Sequence, residues 1–146
     1  MRFLALFVFV LLAAIAALHV AWGLGLRWPA SNERDLVATV IGARQRSHLP
    51  SLAQCILAAA AIFSAGCLAL LLSGLVASPL SPPLITILGF VMCAVFALRG
   101  TAAYLPFWRN VFSQQPFARY DLLYYAPLCF GVALVFALLL TERLKN

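Results

Sequence analysis

The sequence predicts an all-α integral membrane protein, a bundle of four transmembrane helices, and two observations carry that prediction. Hydrophobic residues make up 65% of the chain and charged residues only 10%, against roughly 45–50% and about 25% in soluble domains. A soluble domain of this size buries only about 70% of its surface, so so apolar a chain would leave apolar side chains in water. The second observation is where the polar residues fall. They separate four apolar runs, each matching the roughly 20 residues that a bilayer-crossing helix needs. The length, 146 residues, suits a single membrane domain over residues 1–146.

The first run extends from Phe3 to about Leu26, interrupted only by His19 and bounded by Arg2 and Arg27. A cleaved signal peptide is the competing reading, since Arg2 precedes an apolar core and Ala14-Ile15-Ala16 resembles a cleavage site. The run stays uncharged for ten residues beyond Ala16, which favours a retained span. Residues 27–51 form the first long polar connection. Within it Asn32 is expected to cap a short helix with Asp35 at the third helical position. Leu36, Val37, Val40 and Ile41 give that helix a narrow apolar face, expected to lie along the membrane surface.

Pro50-Ser51 marks the start of the second span, about Leu52 to Val76, which carries no charge. Pro79, Pro82 and Pro83 break the helix and force a tight turn. The third span runs from about Leu84 to Tyr104, with Arg99 near its end. Residues 105–121 are a polar and aromatic connection, the fourth span covers about 122–140, and Thr141 to Asn146 form a charged tail. Inside the fourth span Pro127 removes one backbone bond and frees a carbonyl near Leu123, so a kink is expected there.

Small residues must let helices approach in lipid, where no hydrophobic drive acts between them. Gly89, Cys93 and Ala97 supply one such stripe on the third span, and Ala58, Ala61, Ala65 and Ala69 another on the second. The four cysteines, Cys55, Cys67, Cys93 and Cys129, lie inside apolar runs at spacings that suit neither a redox pair nor a zinc site. They read as small buried hydrophobes, with Cys55 the most reachable because it lies one turn into its span. No metal and no cofactor are expected.

Four spans put both termini on one side of the membrane. The two long connections hold most of the arginines, which by the positive-inside rule would make them cytoplasmic. The very short N-terminus and the short basic tail point the other way, and cytoplasmic termini are the expectation. The net charge is +6. With the basic residues scattered between spans rather than forming a stripe, membrane lipids are the expected partners and nucleic acid is not. A protein partner or a second copy of the chain remains open.

Alternating span directions gather polar side chains at one end of the bundle. His19 and Trp22 share a face at the end of the first span, being three residues apart. Arg99 and Tyr104 end the third span, and Arg119, Tyr120, Asp121, Tyr124 and Tyr125 begin the fourth. An arginine inside a span needs a counter-charge, and Asp121 is the acid at matching depth. The pair reads as a clamp between two helices, or as part of a small polar pocket with His19 and the tyrosines.

The stretches His19-Val-Ala-Trp22-Gly23-Leu-Gly25, Leu98-Arg99-Gly100 and Pro116-Phe117-Ala118-Arg119-Tyr120-Asp121-Leu-Leu-Tyr124-Tyr125-Ala-Pro127-Leu128-Cys129 carry a family resemblance. Together they resemble the small four-span bacterial membrane proteins known as domain of unknown function 3995. The resemblance spans nearly the whole chain and implies a retained first span and a bacterial membrane location, with no activity attached. The first connection here is longer and more basic than in that family. The expected function is binding or interaction through the polar end, for instance an immunity-type protein against a membrane-acting toxin. The alternatives are a small membrane enzyme using His19, Asp121 and a tyrosine for proton transfer, and a transporter that dimerises.

Overall fold

The computed structural model describes residues 1–46 and 48–145. Among these the chain is entirely helical, and four helices are long and apolar enough to cross a membrane. The protein is a four-helix membrane bundle. The spans are α1 (Arg2–Gly23), α3 (Leu52–Leu72), α4 (Pro82–Ala102) and a helix from Phe117 to Lys145. Helices of 21 or 22 residues are about 30 Å long at 1.5 Å per residue, which matches the bilayer core. The outward faces are apolar, with Phe3 90% and Leu57 73% exposed, a surface that lipid covers and water would not.

Local chemistry fixes the ends. Ser51 Oγ accepts from the Gln54 N–H at 3.3 Å and Gln54 Oε1 accepts from the Ser51 N–H at 3.1 Å, a reciprocal capping box that starts α3. The expected end at Val76 is too late. Gly74 adopts φ 68° and its N–H, with that of Leu75, turns back to the Leu71 and Leu70 carbonyls. That left-handed cap closes the helix at Leu72 although the sequence stays apolar beyond it. In turn α4 starts two residues earlier than expected, because Pro82 and Pro83 suit the first helical positions, where no N–H is needed.

The short helix α2 (Glu33–Val40) forms as its sequence indicates, with Asn32 Oδ1 accepting from the Asp35 N–H at 2.9 Å. Its apolar face does not lie open on the membrane, however. Leu36 and Val37 are fully buried and α2 packs on α6 (Phe117–Tyr120). An amphipathic stripe is satisfied equally by lipid and by protein, and here the third connection supplies the protein. That connection is itself partly helical, as α5 (Pro106–Val111) and α6. The two connections are joined by backbone bonds from Arg44 N–H to the Val111 carbonyl and from Gln114 N–H to the Gly42 carbonyl, each 3.1 Å. At the end of the first connection Glu33 accepts the Leu49 N–H at 3.0 Å. That bond, helped by nearby His48, holds the Glu33 carboxyl below its ordinary pKa.

The spans pair unequally. The main partner of α1 is α3, and α4 packs chiefly on α7 (Ala126–Lys145). The shared core joins Ala5, Val8 and Leu12 of α1, Leu68, Ala69 and Leu72 of α3, Ile85 of α4, and Phe136, Leu139 and Leu140 of α7. These residues lie in the half of the bundle nearer the proline turn and the termini. The expected alanine stripe on α3 is correct only at that end. Ala65 and Ala69 are buried, whereas Ala61 is exposed and Cys55 and Ala59 are buried instead. Steps of four residues advance about 400° around a helix of 3.6 residues per turn, so a four-residue stripe drifts off the packing face. Cys55, expected to be the most reachable thiol, is closed off by Gly23 of α1.

Candidate functional site

The fourth span does not begin at residue 122 as a fresh helix. It grows out of α6 through a π-helical turn, Asp121–Tyr125, in which the Ala126 N–H reaches the Asp121 carbonyl five residues back. The cause is Pro127. Lacking an N–H, it leaves a carbonyl without its usual donor, and in this wider register that carbonyl belongs to Leu122. The Tyr104 hydroxyl, from the end of α4, donates to it at 3.4 Å. Turns of this kind recur at functional sites, and this one sets the direction of Asp121.

Asp121 is 3% exposed, the one charged residue that is buried among those described. Arg99 Nη2 donates to its Oδ1 at 2.6 Å and Trp108 Nε1 donates to its Oδ2 at 2.9 Å. The guanidinium carbon also lies 4.9 Å from the centre of the Trp108 ring, within cation–π range. One carboxylate thus ties α4, α5 and the root of α7 together. A guanidinium carries five N–H donors, and Arg99 Nη1, shielded from solvent, has no acceptor among the described residues.

Arg99 lines a cavity of about 540 Å³ between the α1/α3 pair and the α4/α7 pair. It exists because the shared core holds the two pairs together only at the opposite end. Its walls are mostly apolar, with Leu12, Ile15, Ile62, Phe96, Cys129 and Val132 in the inner part. Towards the connections it is bounded by His19, Trp22, Trp28, Thr39, Phe117 and Tyr125. His19 Nδ1 lies 2.8 Å from the Ile15 carbonyl. A carbonyl only accepts, so Nδ1 carries the proton, and in the neutral ring Nε2 is left as an acceptor.

Polar bonds fasten the cover over this cavity. Trp22 Nε1 donates to the Trp28 carbonyl at 2.8 Å, and the Tyr125 hydroxyl donates to the Thr39 carbonyl at 3.3 Å. Gly42, at φ 67°, rests directly on the Phe117 ring, where an added Cβ would sit 2.3 Å from Cδ1. A run of aromatic contacts, Trp108 to Phe112 to Phe117 to Tyr125, links the arginine clamp to the cover.

Of the residues expected at this end, His19, Trp22, Arg99 and Tyr125 share the cavity and Asp121 anchors it from behind. Arg119 and Tyr124 are exposed, and Tyr120 packs edge-on against Tyr124; none of these three lines the cavity. The residues missed from the sequence are Trp108, Trp28, Thr39 and Phe117. Trp108 carried a signal, since Pro106 starts a short helix that puts an indole beside the end of α4. The others are brought in by docking of α2, which no local pattern encodes.

The model of the family described as "Protein of unknown function (DUF3995)" matches residues 12–136. The chain belongs to that family. The matched segment contains His19, Trp22, Arg99, Trp108, Asp121 and Tyr125, so the DUF3995 region holds every polar side chain of the cavity and its clamp. Neither a curated protein nor a solved structure matches.

Proposed function

We propose that this DUF3995 protein is a membrane-embedded binding protein, which holds one small, largely apolar molecule in the cavity between its two helix pairs. In this reading it resides in the bacterial cytoplasmic membrane with both termini in the cytoplasm. The observation that carries it is a mainly apolar cavity of about 540 Å³ between the two helix pairs, with Arg99, His19 and Tyr125 among its lining side chains. Small-molecule sites have this size and make-up, a few placed polar groups in an apolar lining. Asp121 is committed to Arg99 and Trp108 and does not line the cavity that His19 faces. The geometry therefore favours holding a molecule over proton transfer between those two residues.

Filling the cavity tests the reading. Ile15→Phe and Cys129→Phe add bulk to its wall and leave Arg99, Asp121 and Trp108 in place. Solvent extracts of wild-type and filled proteins, purified from the same membranes in mild detergent, are compared by mass spectrometry. A species enriched with the wild type and depleted in both variants is expected. Identical extracts overturn the proposal, provided both variants keep the helical circular dichroism of the wild type.

A further inference from the structure

We infer that the end of the bundle opposite the cavity seats an anionic phospholipid, with its phosphate on the Arg143 guanidinium and an acyl chain along the apolar wall beside it. This seat is separate from the cavity and does not depend on what the cavity holds. A groove of about 830 Å³ opens where the start of α1, the end of α3, the start of α4 and the last turn of α7 meet, with Arg2, Ser73, Thr86, Ile87, Arg143 and Leu144 among its walls. Helix length sets its depth. The spans α3 and α4 have 21 residues each, about 30 Å at 1.5 Å per residue, so their ends reach the level of the lipid headgroups. Ile87 and Leu144 are 59% and 64% exposed, apolar surface that continues from the groove onto the lipid-facing side.

Arg143 is held in place at this groove. It reaches from α7 to the first turn of α4, where Nε donates to Thr86 Oγ1 at 3.2 Å and Nη2 donates to the Pro82 carbonyl at 3.4 Å. Both acceptors are neutral, so among the described residues no carboxylate meets this half-buried positive charge. Its Nη1 makes no bond there and, unlike Arg99 Nη1, is not enclosed. Arg2, exposed and outside any ion pair among the described residues, brings a second positive charge to the groove. Glu142 is the one acid in the lining, which leaves a positive charge in excess. A guanidinium binds phosphate through several charge-assisted bonds at once. A zwitterionic head adds a cation to a groove that is already positive, and a free phosphate leaves the apolar wall uncovered. An anionic phospholipid answers both.

The test places the full chain in phosphatidylcholine vesicles with a trace of phosphatidylglycerol or phosphatidylcholine bearing a photoactivatable diazirine near the carbonyl end of one acyl chain. After illumination, mass spectrometry locates the labelled peptides. The phosphatidylglycerol probe should label residues 72–87 and 141–145 about fivefold or more above the phosphatidylcholine probe, since each arginine near the membrane surface is worth about fivefold. Excess soluble glycerol phosphate should leave that labelling unchanged. Arg143→Gln, which keeps a donor for Thr86, should remove most of the excess, and Arg2→Gln should reduce it. Arg119→Gln, at the other end of the bundle, should leave it intact. Equal labelling by the two probes overturns the seat, and so does an excess that survives both Arg143→Gln and Arg2→Gln. A loss with Arg119→Gln as large as with Arg143→Gln reduces it to general surface attraction and overturns it too. Displacement by glycerol phosphate makes the ligand a soluble phosphate and overturns the lipid. Should Arg143→Gln lose the helical circular dichroism of the wild type, Arg2→Gln decides alone, and an undiminished excess then overturns the seat.

Discussion

Replacing Asp121 with leucine should damage this protein more than any single change on its lipid-facing surface. The carboxylate is 3% exposed and accepts two donors, Arg99 Nη2 and Trp108 Nε1. Removing one member of a buried pair costs about 3–5 kcal/mol, because the other charge is stranded. The lower end applies here, since the Arg99 side chain keeps 30% of its surface accessible. The Trp108 bond, made to a charged group, contributes about 1.5–3 kcal/mol of the same loss. Arg99→Leu should cost about 3 kcal/mol, as the carboxylate it leaves behind keeps only the indole donor. The double variant strands neither charge, and its cost should fall below the sum of the singles by about 1–3 kcal/mol. Thermal unfolding midpoints in one detergent, measured for wild type, both singles and the double, give the comparison. Trp108→Phe, with an intact ion pair, should lower the midpoint by less than either single. Strictly additive midpoint shifts would refute the clamp, and so would a Trp108→Phe loss as large as that of Asp121→Leu.

Reporter fusions at the C-terminus and within residues 34–46 should report opposite sides of the membrane; the same side for both would refute four crossings. Gly42→Ala, at φ 67° and against the Phe117 ring, should destabilise by about 1–3 kcal/mol, while Gly131→Ala, which meets open space, should be neutral or slightly stabilising; equal effects would refute the docking of the cover on Phe117. A small membrane-permeant thiol reagent should label Cys129, in the cavity wall, faster than buried Cys55, and Ile15→Phe should slow Cys129 alone; the reverse order would refute the cavity. Because Glu33 has a lowered pKa in the folded chain, its contribution is present above the ordinary carboxylate range and lost as pH falls through its folded pKa. The protection of the Leu49 amide, measured as its exchange rate relative to the free peptide at the same pH, should therefore fall under acid in the wild type and be low throughout in Glu33→Ala; a flat wild-type profile would count against the bond.

The parts of this molecule legible in the sequence are those that local physics decides. Apolar run length determined the four spans, the Asn32 side chain announced α2, and an arginine at membrane depth demanded a counter-charge that Asp121 meets. The misplaced features all turn on contacts between distant segments. Whether the face of α2 meets lipid or protein depends on Phe117, 77 residues beyond the end of α2 at Val40. The buried face of α3 follows the crossing of α1 and α3 and not a fixed four-residue step. The cavity itself is a consequence of where the shared core stops, and the chain writes no pattern for empty space. Pro127 announced a disturbed backbone, but the π-helical turn that absorbs it, and the Tyr104 hydroxyl that satisfies the freed carbonyl, depend on how α4 ends.

The pairing of α1 with α3 and of α4 with α7 bears on how the protein is assembled. Each pair is a sizeable packed unit, joined to the other by one short turn, residues 73–81, and by the core at that end. In a membrane, helices insert first and associate afterwards, so the two halves are natural intermediates. A chain cut within the turn and produced as two pieces has what it needs to rejoin. At the far end the halves meet through the crossed connections and across the cavity, so whatever fills the cavity touches both. On the binding reading proposed above, a molecule held there would act as a keystone, raising the affinity of one half for the other in proportion to how far its concentration exceeds its dissociation constant.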